Sequence, residues 1–283
     1  MQAIFWIRDG VLVDRMHVNP VAFAAAVLLH ACETRQTVSL SELINFGFSA
    51  SGISCADKIK LFNQEKFLLP DQAVAAAAQT YNELATEAAL TCGYFSGTLD
   101  MLQSLKDSGM KHFITSAIEQ NLIDAWLKSD QGQKLAPLLT EALGKRSDIC
   151  KGREHFAYAK KKYALEQIYY VADAVSEIAV ASQLKDLDVV TIGFSHVITA
   201  PRVSLALDLV QQAALKLASE TSTFTEEQAV YLSQLELQQD ELVLPNEASL
   251  DCTLRAAGAD HLVAGDSSTI VGRLNALWHQ LIS

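Results

Sequence analysis

A few short stretches of this chain carry residue types that can do chemistry. An apolar run, Ala3-Ile4-Phe5-Trp6-Ile7, ends at Arg8-Asp9-Gly10, where the glycine permits a sharp turn and leaves the Asp9 carboxylate at a strand mouth. Two Asp residues spaced two apart would share one face of such a strand, where they could hold a metal and attack a phosphoryl group. Here the position two before Asp9 is Ile7, and strand alternation turns Arg8 away from the face of Ile7 and Asp9. Farther along, Thr115-Ser116 closes a short apolar strand. That hydroxyl pair reads either as an anion cradle or as the N-cap of the next helix. Lys151-Gly152 precedes a helical stretch and is either a neutralising cation or a solvated turn lysine. Asp173 and Glu177 sit at i and i+4 where an apolar strand turns into a helix. Such acids can share a Mg²⁺, or Glu177 can simply favour the helix dipole.

The elements that would position these groups alternate. Strand-like runs at 3–7, 111–116, 167–172, 188–193 and 257–263 are separated by helical patterns, as in a doubly wound parallel sheet. Two segments break the alternation. From Pro20 to about Leu90 the chain is Ala-rich and helical without a strand signal. Between Thr199 and Asn246 lies a connection too long for a compact domain. In it, Val203, Leu207, Val210, Ala214 and Leu217 keep a helical rhythm, and Thr225-Glu226-Glu227-Gln228 reads as a capping box. The second helix is expected to present Val230, Leu232 and Leu235 on one side. The resulting hairpin needs a surface to cover its apolar stripes: its own core domain, a second copy, or a partner protein. Asp266-Ser267-Ser268 is read as the N-cap of the terminal helix.

The stretch Asp9-Gly10-Val11-Leu12-Val13-Asp14 resembles the first motif of the haloacid dehalogenase (HAD) superfamily, in the Asp-x-Asp-Gly-Val-Leu-x-Asp form of its phosphoglycolate phosphatase and β-phosphoglucomutase branch. The resemblance continues in order through Thr115, Lys151, Ala172-Asp173 with Glu177, and Ala257-Gly258-Ala259-Asp260-His261. It implies an α/β fold with a three-layer, doubly wound parallel sheet and an inserted all-helical cap; the late helical hairpin is an insertion where the family has a short turn. The division is then 1–14 plus 92–283 as core and 15–91 as cap, with 199–246, read from its own length and pattern, as an insertion within the core. It also implies roles: Asp9 as acid/base, Thr115, Ser116 and Lys151 as phosphate ligands, and Asp173 with Glu177 and Asp9 as a Mg²⁺ site. The family's nucleophile position is Ile7, the two prolines that follow the family's lysine in a Lys-Pro-x-Pro setting are absent, and Glu177 replaces an Asp. Without the charged ligand at position 7, Mg²⁺ affinity is expected to be weakened.

Composition bounds the rest. The 283 residues carry a net charge of −11, which argues against nucleic acid or an anionic membrane as main partner. No apolar run reaches the ~20 residues needed to span a bilayer, and five scattered cysteines without a Cys-x-x-Cys pair suit a reducing, cytoplasmic setting. The leading expectation is a HAD-like protein without phosphoryl transfer, serving as a ligand-binding, regulatory or scaffold module, with a small phosphorylated ligand or anion as candidate ligand. The alternative is a Mg²⁺-dependent phosphoester hydrolase or phosphomutase in which Asp9 activates water directly. A third expectation makes the helices of 203–244 the functional surface, for self-association or a protein partner.

Overall fold

The computed structural model describes residues 1–31, 38–50, 55–66, 69–220 and 224–282. The chain forms two compact units. One comprises Met1–Asp14, Gly93–Val197 and Asn246–Ser283, the other Arg15–Cys92 and Ile198–Pro245.

The first unit is built on six parallel strands: β1 (Gln2–Trp6), β2 (Lys111–Glu119), β3 (Glu141–Lys145), β4 (Gln167–Ala172), β5 (Val189–His196) and β6 (His261–Gly265). Their order across the sheet is β3-β2-β1-β4-β5-β6. All neighbours are parallel, with Phe5 level with Phe113 on one side and Tyr170 on the other. The unbroken apolar run of β1 follows from this position, because a central parallel strand is covered on both faces; residues 3 to 6 are fully buried. Helices in this unit are α5 (Thr98–Asp107), α6 (Gln120–Leu127), α7 (Asp130–Leu135), α8 (Arg153–Tyr163), α9 (Val175–Ala181), α12 (Glu247–Ala256) and α13 (Ile270–Ile282). On one face Phe5 stacks on Phe113 at 4.7 Å and meets Phe156 edge-on at 4.8 Å. Elsewhere in this core Trp278 closes edge-on over Trp6 and Tyr169. The sheet order reverses direction between β1 and β4, and in open α/β sheets that switch point opens a crevice at the strand C-termini.

The second unit holds α1 (Val18–His30), α2 (Leu40–Ser49), α3 (Cys55–Lys66), α4 (Asp71–Ala89), α10 (Ala200–Glu220) and α11 (Glu226–Ser233). The late insertion therefore folds with the first helical segment, where the sequence reading placed it within the core. Helix α10 packs on α1, α4 and α11, burying Val203, Leu207, Val210 and Ala214. Its apolar stripe is thus covered from within the chain, by the neighbouring α11 and by α1 and α4, which are remote in sequence. The capping box is formed as expected, with Thr225 and Gln228 bonded reciprocally. The second helix meets expectation at Leu232, which is buried, but pairs it with Ala229 and leaves Val230 exposed. Among the described residues no helix is long and apolar enough to cross a membrane.

Candidate functional site

Strand β1 ends at Trp6, one residue before the position that the motif assigns to a nucleophile. Beyond it the chain folds into a tight turn. The amides of Leu12 and Val13 donate to the Arg8 carbonyl, and Gly10 sits at φ 89°, a conformation that favours glycine. Because residues 7 to 9 lie past the strand, alternation does not govern them. Arg8 turns back onto Asp9, donating from Nε to Oδ1 at 2.8 Å and from Nη2 to Oδ2 at 2.9 Å. This fork-to-fork pair is the strong form of carboxylate binding, and the guanidinium also lies 4.8 Å from the Trp126 ring centroid. Asp9, the expected acid/base, is therefore a neutralised carboxylate. Ile7 beside it is buried at 8% exposure.

Across the switch point, β4 delivers Asp173 one residue after its end. Burial pushes the Asp173 carboxyl up to about 7. The nearby charges of Glu177 and Asp9 add to this, and Lys151 partly offsets it. These four charged groups are thus brought within electrostatic reach of one another. Glu177, in the first turn of α9, has both oxygens engaged: Lys151 Nζ donates to Oε1 and Tyr170 Oη donates to Oε2 at 2.6 Å. Burial and the neighbouring Glu177 hold the Tyr170 phenol well above its usual range. Lys151, placed by the turn at Gly152 (φ 99°) before α8, is bonded to an acid instead of standing clear for an anion.

The hydroxyl pair is placed differently from the sequence expectation. Strand β2 does not stop at Ser116 but runs to Glu119, with a register shift against β3 after Thr115. The following helix is capped at Glu119 without a side-chain bond, so neither hydroxyl serves its N-terminus. Thr115 is buried at 1% exposure, and its Oγ1 lies 2.7 Å from His155 Nδ1. The other ring nitrogen of His155 faces the Gly144 carbonyl at 3.1 Å. A carbonyl only accepts, so Nε2 carries the proton, and burial keeps the ring neutral by lowering its pKa. Nδ1 is then the acceptor, and the single Thr115 proton is committed to it. Ser116 is half-buried, and its Oγ accepts from the Ile118 amide at 3.3 Å.

A Mg²⁺ ion needs several free oxygens. Here Asp9 is held by Arg8, Glu177 by Lys151 and Tyr170, and position 7 is hydrocarbon. Among the described residues no group of three or more His, Cys, Asp or Glu side chains is arranged to hold a metal. The residues present do not fit the ion as they stand. Sequence reasoning missed Arg8, Tyr170 and His155, the partners that occupy the expected ligands. The one legible signal was Arg8 itself, adjacent to Asp9 at a strand end.

Comparison with known proteins returns fold and little else. No family model and no curated protein matches the sequence. Among solved structures, the chain is similar to one described as a predicted phosphatase from Clostridium acetobutylicum, with TM-score 0.54 and 14% identity over 99% of this chain and 98% of that one. It is similar to a hydrolase from Pseudomonas syringae, with TM-score 0.54 and 15% identity over 100% and 99% of the two chains. A HAD family hydrolase from Deinococcus radiodurans R1, with bound phosphate and sodium, gives TM-score 0.53 and 14% identity over 98% and 95%. The chain has a HAD-like α/β fold. Identity at this level carries the architecture and no activity.

Proposed function

We propose that this HAD-like protein performs no phosphoryl transfer and acts as a ligand-binding, regulatory or scaffold protein. The observation that carries the reading is the pairing of charges at the switch point: Arg8 with Asp9, and Lys151 with Glu177. A phosphatase of this fold would leave its acids open to a cation and its lysine open to a phosphate. Here each charge neutralises another, beside a side chain at position 7 that cannot form a covalent phosphoryl intermediate. Losing a nucleophile costs several orders of magnitude in rate, and residual electrostatic stabilisation recovers only part of it. A cytosolic setting is supported by the free cysteines at 55, 92, 150 and 252.

The test is Mg²⁺-dependent phosphate release from a panel of small phosphoesters by the native chain, Ile7→Asp and Ile7→Asp/Arg8→Leu. The expected order is no turnover, little turnover, and clear turnover only when both the nucleophile is restored and Asp9 is released. Native turnover that is lost on Asp9→Asn or Asp173→Ala would overturn the reading in favour of direct water activation by Asp9.

A further inference from the structure

Two other strand ends meet the segment that carries Asp14. Residue His196 closes β5, and its register partner Gly265 closes β6. The Val197 amide donates to the Gly265 carbonyl at 2.9 Å, which fixes the turn that follows β6 against the end of β5. That turn places Ser267 Oγ 3.0 Å from His196 Nε2. On the opposite side of the ring, His196 Nδ1 stands 4.0 Å from Asp14 Oδ1, with both side chains almost wholly buried at 3% and 6% exposure. Asp14 is held in place by its own amide, which donates to the Gly93 carbonyl at 3.0 Å. The imidazole plane is set by Phe95, edge-on at 4.8 Å, and Phe95 is itself tied to the Leu12 carbonyl through its amide.

The geometry points to a second, acyl-transfer site: Ser267 as nucleophile, His196 as general base and Asp14 as the residue that orients the imidazole, acting on small carboxylic esters. A nucleophile within hydrogen-bond reach of a base that is itself faced by a buried carboxylate meets the geometric criterion for an activated serine, whatever the fold and chain order. The burial is graded to match. Asp14 and His196 are enclosed, and Ser267 is half-exposed. The Asp14 to His196 separation is longer than a hydrogen bond, as such contacts often are before substrate is bound. The turn also opens α13, a thirteen-residue helix whose N-terminal end favours developing negative charge.

In the reaction, Ser267 Oγ forms a bond to the ester carbonyl carbon while its proton passes to His196 Nε2. The carbon to alkoxy bond then breaks, and the leaving oxygen takes that proton. Water repeats the sequence on the acyl-serine, releasing the acid and restoring the Ser267 hydroxyl. None of these steps uses Asp9, Asp173, Glu177 or a metal, so this proposal and the absence of phosphoryl transfer stand or fall separately.

The test is labelling of the full chain with a fluorophosphonate probe, with the modified residue located by mass spectrometry, alongside hydrolysis of p-nitrophenyl acetate. Label is expected on Ser267, lost in Ser267→Ala and retained in Ser268→Ala. His196→Asn should slow labelling at least tenfold. Asp14→Asn should lower kcat at least tenfold with KM within twofold, as expected for a positioning residue. Ser267→Cys, which keeps a nucleophile of nearly the same shape, guards against a folding artefact and should react with iodoacetamide faster than Ser267→Cys/His196→Asn. No label on the native chain, label on another residue, or rates insensitive to His196→Asn would overturn the proposal.

Discussion

Protonation of one buried histidine should make a distinct contribution to the acid sensitivity of the sheet unit, opposite in sign to that of the raised Asp173 carboxyl. His112 on β2 is fully buried. Its Nδ1 accepts from the Trp6 indole at 3.1 Å, and its Nε2 faces the Leu102 carbonyl at 3.1 Å. The ring must be neutral there, since a proton on Nδ1 would oppose the Trp6 N–H. Burial accordingly depresses its pKa from 6.5 to about 4, with the carbonyl bond partly offsetting and Lys106 adding to the depression. Between those two values this site binds more protons in the unfolded chain than in the folded one, so its contribution to stability rises with pH across the window. It is fully present above pH 6.5 and lost as pH falls through 4. Linkage gives a loss of about 2 kcal/mol between pH 7.5 and pH 5, approaching about 3 kcal/mol below pH 4. The assay is urea unfolding followed by tryptophan fluorescence. Trp6, Trp126 and Trp278 all lie in the sheet unit and report on it alone. His112→Gln should be less stable at pH 7.5 by about 1–3 kcal/mol, from the disturbed pairing of Trp6 and Leu102. It should also lose about 2 kcal/mol less than the native chain on going to pH 5, and equal losses in the two proteins would refute the argument.

Two further outcomes test the placement of residues that the sequence left ambiguous. Thr115→Val should cost about 1–2 kcal/mol in the same unfolding assay, because His155 Nδ1 loses its donor. Calorimetric titration with inorganic phosphate should give the same result for Thr115→Val as for the native chain, and a tenfold fall in affinity would show that Thr115 faces an anion. Leu207→Ala should destabilise the helical unit by about 2–5 kcal/mol, since Leu207 is 6% exposed in the packing of α10. Limited proteolysis should then cut within 15–92 and 198–245 together; cuts confined to the second segment would show that the two do not fold as one unit.

Much of the architecture was legible from local pattern. The buried run of β1, the strand and helix alternation that resumes after about Leu90, the capping box at Thr225 and the Asp266 turn all follow from residues close in sequence. Asp266 Oδ1 accepts from the amides of Ser268 and Thr269 within the turn before α13, whose first residue is Ile270, so the Asp266 side chain orders the turn and is not the N-cap of the helix. Element ends were less legible. Strand β2 outran Ser116 because a bulge continues its pairing to Glu119, and there the Gln120 side chain bonds both Ala142 and Gly144 of β3. No periodicity announces such a side-chain substitute for a strand rung. The Val230 face was misassigned because α11 ends at Ser233, so the rotation of the short helix was set by its packing on α10.

The sequence by itself determined that the nucleophile position is Ile7, that acids stand at 9, 173 and 177, and that two helical segments interrupt an α/β core. Residue identity and spacing suffice for such statements. Only the tertiary structure decided what those acids are bonded to and what covers the late hairpin. Lys151 meets Glu177, Thr115 meets His155, and α10 meets α1 and α4. Each contact joins positions remote in the chain, where hydrogen-bond and charge partners are chosen by which strand ends and helix faces the fold brings together.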